Sequence, residues 1–236
     1  MQKENGDKLA LHKMLRVYIE GNIASGKSAL IRELQATSHV DTYEEDVTFF
    51  NTELENFYTN RNRRNCLALQ EKILEFCALI QRRAQNSSNP TSIAIFERSA
   101  YSSWCIFGQF YEENGFLTAQ DRLSLYREEL PGIRIYLKTS VPTCLARAKL
   151  RARSEERQLL PITFDRLHEI HEHYLNKTGL PVMPGYPSIS PEDNSMILCG
   201  DQPCKDIAKD LLKGLHSMHP SWNQSDLQYP EYQSRS

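Results

Sequence analysis

Residues 21–28 read G-N-I-A-S-G-K-S and carry the strongest chemical signal in the chain. Gly21, Gly26, Lys27 and Ser28 satisfy the spacing G-x-x-x-x-G-K-[ST]. Such a loop aims successive backbone N–H groups at an anion, its lysine adds a point charge near the outer phosphates of a nucleotide, and its serine hydroxyl ligates magnesium. The candidate phosphate cradle is therefore Gly21, Asn22, Ile23, Ala24, Ser25, Gly26, Lys27 and Ser28. A chance lysine behind a glycine turn would not need the flanks found here. Val17, Tyr18 and Ile19 form an apolar run before the loop, and Ser28 to Gln35 has helix composition after it, so the anion would meet a helix N-terminus.

Three other groups of charged residues have types and positions suited to chemistry. Glu44, Glu45 and Asp46 follow a short segment around Thr42; an acid at a strand end faces the ligand crevice, whereas a solvated acidic turn would do nothing. Glu97, Arg98 and Ser99 directly follow the apolar run IAIF, where charge is costly to bury unless it meets a ligand or a partner. Arg147, Lys149, Arg151, Arg153 and Arg157 form a basic run before Pro161. It is either a solvated helix face or a lid whose guanidiniums close over phosphates. His168 and His171 stand three apart with no third ligand in sight, so they are expected to decorate one helix face rather than hold a metal.

The elements that must position these groups follow from periodicity. Candidate strands recur near Val17, Thr42, Ile93, Ile133 and Ile197, each followed by helical sequence. This alternation predicts an α/β fold with a parallel five-stranded sheet flanked by helices. Residues 66–83 read as a long amphipathic helix, residues 99–113 as a helix, and the stretch after Thr118 as a helix ending before Pro131. The polar stretch 51–65 shows no clear element. Residues 1–15 read as an extension, 16–216 as one domain, and 217–236 as a disordered tail.

Composition narrows the function classes. With 28 basic against 30 acidic residues, a net charge of -2 gives no nucleic-acid signature. No apolar run approaches the length needed to span a bilayer. The first fifteen residues lack export or transit character, which points to the cytoplasm. The six cysteines show no paired or metal-binding spacing and are expected as free, buried thiols.

GNIASGKS, FERSAYSSW and RARSEE followed by LHEIHEHYL, in this order, resemble the motifs of the deoxyribonucleoside kinase family over about residues 16–200. The resemblance implies a P-loop kinase fold with an arginine-rich lid, ATP as phosphoryl donor, Mg2+, and a homodimer. It implies that Glu45 is the base for the nucleoside 5′-hydroxyl, that Arg98 lies beside that hydroxyl, and that Glu97 helps Ser28 hold magnesium. Strand alternation, which puts Glu44 and Asp46 on one face and Glu45 on the other, favours the same choice. Gln70 matches the residue that reads the base edge, Tyr58 and Glu156 grip the 3′-hydroxyl, Arg151 and Arg153 contact phosphates, and Phe50 lines the nucleoside pocket.

Two departures from the family pattern stand out. Asp46 replaces the proline that follows the catalytic glutamate, placing a second carboxylate beside Glu45. Cys77 and Ser103 occupy positions that tune base choice; small and uncharged, they resemble the thymidine-accepting branch rather than the arginine and aspartate of the deoxycytidine kinase branch. The implied reaction is phosphorylation of a deoxyribonucleoside 5′-hydroxyl, with pyrimidines such as thymidine and deoxycytidine as acceptors. Two readings compete: a nucleoside monophosphate kinase, whose acceptor Glu45 would repel, and a nucleotide-binding protein of this fold without turnover.

Overall fold

A computed structural model describes residues 14–37, 40–87, 93–152, 160–176, 188–190 and 194–218. At its centre is a six-stranded sheet in the order β2-β3-β1-β4-β6-β5. The strands are β1 (Leu15–Glu20), β2 (Asp41–Tyr43), β3 (Ile93–Glu97), β4 (Ile133–Lys138), β5 (Ser188–Ser190) and β6 (Ser195–Cys199). The five expected strands are all parallel; β5 adds an antiparallel edge on β6, a strand too short to be legible in the sequence. In β1, Val17, Tyr18, Ile19 and Glu20 are all buried, as a strand covered by helices on both faces requires.

Strand alternation divides β1 between two cores. Val17 and Ile19 pack with helices α1 (Lys27–Thr37) and α8 (Cys204–Met218), where Leu30, Ile31 and Leu34 meet Leu211, Leu212 and Leu215. Tyr18 faces the other way, stacking on Phe96 and joining Phe76 and Ile80 of helix α3 (Arg63–Gln85). The chain builds β2 and β3 on one side of β1, then crosses to β4 and β6 on the other. Strand order therefore reverses at the carboxyl end of β1, and a parallel sheet opens its ligand crevice at such a switch point.

Three elements differ from the sequence reading. The stretch without a clear element contains helix α2 (Asn51–Thr59), whose Leu54, Phe57 and Tyr58 form the apolar stripe of an otherwise polar helix. Residues Ser102–Phe107 form a wide π-type turn before helix α4 (Gly108–Glu113), in place of one regular helix. Helix α5 (Ala119–Ser124) starts on Thr118 as expected, through a reciprocal capping box with Asp121, but ends well before Pro131. Beyond it, Leu130 O accepts from the Tyr18 hydroxyl at 3.0 Å and Glu129 pairs with Arg134 at 2.6 Å, contacts that tie this part of the chain to β1 and β4.

The basic run begins in the end of helix α6 (Val141–Arg151), and α7 (Pro161–Leu175) follows; residues 153–159, with the expected phosphate contact of Arg153 and 3′-hydroxyl contact of Glu156, lie outside the described residues. The expected tail beyond Ser217 and Met218, which close α8, and most of the N-terminal extension lie outside them as well. His171 does not decorate a surface. It is fully buried, donates through Nδ1 to Leu167 O at 2.6 Å and stacks on Tyr136, and burial pulls its pKa down to about 3. All six cysteines are free; four are buried, while Cys199 and Cys204 are half-buried.

Candidate active site

The glycine-rich loop leaves β1 and enters α1 over the crevice. Gly21 and Gly26 adopt φ of 154° and 106°, and a Cβ on Gly21 would stand 2.8 Å from Leu137 O. Lys27 is buried in the loop, its Nζ donating to Gly21 O at 3.1 Å and Asn22 O at 2.9 Å. Burial, followed by the repulsion of Arg98, pulls its pKa down to about 7. Two contacts brace the loop from outside: Asn22 Nδ2 donates to Phe164 O at 2.9 Å, and Thr139 Oγ1 donates to Ser25 O at 2.9 Å.

Beside the loop lies a cavity of about 320 Å³, within the range of small-molecule sites. Ile23 to Ser28 line one end, and Arg147 and Arg151 stand over it. The other end is formed by α2, α3, the wide turn and α4, through Leu54, Tyr58, Leu69, Gln70, Ile73, Ser103, Phe107 and Tyr111. Glu45, Phe50, Glu97 and Arg98 also line it. Gln70 is buried, and its Oε1 has no hydrogen-bond partner among the described residues. A buried carbonyl in that state is an acceptor awaiting a donor.

The three adjacent carboxylates separate in space. Glu44 pairs with Arg32 at the surface, Nε donating at 3.0 Å. Asp46 is exposed and caps the next turn, accepting from Thr48 N at 3.0 Å and Thr48 Oγ1 at 2.6 Å. Glu45 alone of the three lines the cavity, where its Oε2 stands 3.5 Å from Arg98 Nε. The carboxylate that replaces the family proline thus stabilises the local turn.

Glu97 ends β3 and is buried. Its Oε1 accepts from Ser28 Oγ at 2.8 Å and its Oε2 from Glu45 N at 3.2 Å. Burial, then the charge of Glu45, raises its pKa. A serine hydroxyl and a carboxylate sharing one hydrogen bond beside a phosphate cradle are hard oxygen donors of the kind that would hold magnesium. Among the described residues no cluster of three metal-ligating side chains exists, and such a site needs none. Arg98 has a positive φ of 65°, unusual for a side chain with a Cβ, and its guanidinium lies 4.8 Å from the Phe107 ring centroid.

Cys77 stands apart from these residues. Two turns beyond Gln70 on α3, about 10 Å along the axis, it lies past the cavity wall and lines a separate cleft with Leu74, Ala78 and Ala100. Arg147, which the sequence offered only as one member of the basic run, sits on the phosphate loop itself. It donates from Nη1 to Ser25 O at 2.8 Å and from Nη2 to Gly200 O at 3.1 Å, joining the phosphate loop to the turn after β6. Its spacing of four from Arg151, which puts both on one helix face, was the available signal.

A phosphate cradle at the switch point of a parallel sheet, with an acid and an arginine facing each other in the adjoining cavity, marks a P-loop kinase fold. Comparison with known proteins narrows the class. A profile of the deoxynucleoside kinase family matches residues 17–184, and the chain belongs to that family. It is 26% identical to the mitochondrial thymidine kinase 2 of Homo sapiens over 179 residues, covering 70% of this chain but 65% of that protein. To a probable deoxycytidine kinase of Fowlpox virus it is 28% identical over 187 residues, covering 75% of this chain and 77% of the other. To the mitochondrial deoxyguanosine kinase of Xenopus laevis it is 28% identical over 196 residues, covering 69% and 73%. In three dimensions it resembles the deoxyadenosine kinase of M. mycoides, with a TM-score of 0.68 at 19% identity over 86% of this chain and all of that one.

Proposed function

We propose that the chain transfers the terminal phosphoryl group of ATP to the 5′-hydroxyl of a deoxyribonucleoside. The observation that carries this reading is the Glu45–Arg98 pair, held at 3.5 Å in a cavity that runs from the phosphate loop to an uncharged inner end. Glu45 accepts the hydroxyl proton as the phosphoryl group moves in line, and Arg98 holds the attacking oxygen in place. Lys27 gives up the carbonyls of Gly21 and Asn22 for the incoming phosphates, and Arg147 and Arg151 add positive charge from above. Ser28 and Glu97 hold Mg2+, which neutralises phosphate charge when bound.

Pyrimidines are the proposed acceptors. With Cys77 outside the cavity, support now rests on Ser103 and on Gln70, whose amide offers one donor side and one acceptor to a base edge with no charged side chain at the inner end. Homodimerisation is part of the proposal on the family resemblance. So is a reducing aqueous compartment such as the cytoplasm: all six cysteines are free, and no described helix is long and apolar enough to cross a membrane.

The test is ATP-dependent phosphorylation of thymidine, deoxycytidine, deoxyadenosine, deoxyguanosine and thymidine monophosphate, with products identified directly. Turnover of thymidine or deoxycytidine is expected. A purine preference would keep the reaction and overturn the base assignment; turnover of the monophosphate alone, or none at all, would overturn the reaction.

A further inference from the structure

Glu20 ends β1 one residue before the phosphate loop and is fully buried. A carboxylate in such a place is costly unless its oxygens are bonded, and here both are. Oε1 accepts from Ser99 Oγ at 2.5 Å and Oε2 accepts from Ser102 Oγ. Both donors belong to the segment that shapes the acceptor end of the cavity. Ser99 follows Arg98, and Ser102 opens the wide turn that brings Ser103 and Phe107 to the cavity wall.

The same strand grips this segment a second time, because Arg98 N donates to Ile19 O at 3.0 Å. Arg98 needs such support. A residue with a side chain keeps a positive φ only where its surroundings over-determine it. Glu20 itself does not line the cavity, so its hold on the acceptor end passes through the serines, while its charge also favours the cationic form of Lys27.

We propose that Glu20 is a positioning residue for phosphoryl transfer: its carboxylate ties the Arg98 turn and the Ser102–Phe107 wall to the strand that carries the phosphate loop, keeping acceptor and donor at one spacing. The proposal rests on the transfer reading above. Misplacement by about 1 Å is enough to cost about 100-fold in rate, and Glu20 sits where such an error would arise.

The experiment compares Glu20→Met, similar in size but without acceptors, with Glu20→Gln and with Ser99→Ala/Ser102→Ala. For Glu20→Met, the expected result is a loss of about 100-fold in nucleoside kcat/KM, with ATP affinity within about threefold of wild type. Glu20→Gln, whose amide still meets a hydroxyl at either end, restores about tenfold of that loss. The double serine variant reproduces the loss, and adding Glu20→Met to it costs little more. Amide hydrogen exchange across residues 98–107 quickens in Glu20→Met whether or not the protein turns over, so this readout judges Glu20 even if the transfer reading fails on the nucleoside panel. If Glu20→Met does not fold, the serine pair and Glu20→Gln carry the comparison. Nucleoside kcat/KM within threefold of wild type in the variants that remove these bonds, or unchanged exchange across this segment, would overturn the proposal.

Discussion

Glu45→Gln removes a charge while keeping the shape of the side chain. In the structure Glu45 is the one member of the 44–46 acidic group in the cavity, and its oxygen is 3.5 Å from Arg98. Two effects should separate. The chemical step loses its proton acceptor, a contribution of about 10² to 10⁴ in kcat, or about 3–5 kcal/mol of barrier. Stability changes much less: Arg98 keeps a neutral acceptor in the glutamine oxygen and its stacking on Phe107, so about 1–2 kcal/mol, or a fall in Tm of about 2–8 °C, is expected. Steady-state phosphorylation measures the first, and titration calorimetry of the nucleoside checks that binding stays within about fivefold. Glu44→Gln is the internal control: Glu44 is paired with Arg32 at the surface, and its loss should change kcat by less than about twofold. A Glu45→Gln enzyme with kcat within about fivefold of wild type would refute the base assignment.

Three further outcomes are expected. Lys27 has a pKa of about 7 when buried among loop carbonyls and must be cationic against phosphate, so ATP binding at pH 8 should take up about one proton; calorimetry in buffers of different ionisation enthalpy reads this directly. Because this pKa is lowered in the folded chain, Lys27 favours folding progressively more as pH rises from about 7 towards its unfolded value, and the KM for ATP should rise over the same window. Arg147→Ala cuts the link between Ser25 O and Gly200 O and should raise the KM for ATP by about tenfold or more, with the nucleoside KM little changed in initial-rate assays. Ser103→Asp should alter the ranking of nucleosides in competition assays, whereas Cys77→Ser should leave it unaltered, since only Ser103 lines the cavity.

Much of this protein could be read from local pattern. The phosphate loop lies within eight consecutive residues, and its backbone geometry is set by glycines at fixed offsets, so no distant contact is needed to recognise it. Four of the five parallel strands announced themselves as apolar runs because helices cover both sheet faces, whereas the edge strand β2, Asp41–Tyr43, is half-buried and showed only as a short segment before the acidic group. The order of motifs was enough to indicate the family to which the chain belongs.

Local pattern stopped where side-chain direction depends on how elements end and meet. Alternation favoured Glu45 over its neighbours, yet it took Arg32 and the Thr48 turn to draw Glu44 and Asp46 away from the cavity. Gln70 and Cys77 share a helix face in sequence, but the cavity stops between them. Helix α2 was hidden by its polar composition until a core formed for Phe57 to enter. Arg147 stood out only as one charge in a basic run, and nothing in the local sequence singled out Glu20. Their partners, Gly200 and the serines at 99 and 102, lie 53, 79 and 82 residues away. Only the closed sheet, with its helices in place, brings such distant groups within hydrogen-bond reach, because those contacts are set by packing between segments and not by the periodicity of any one of them.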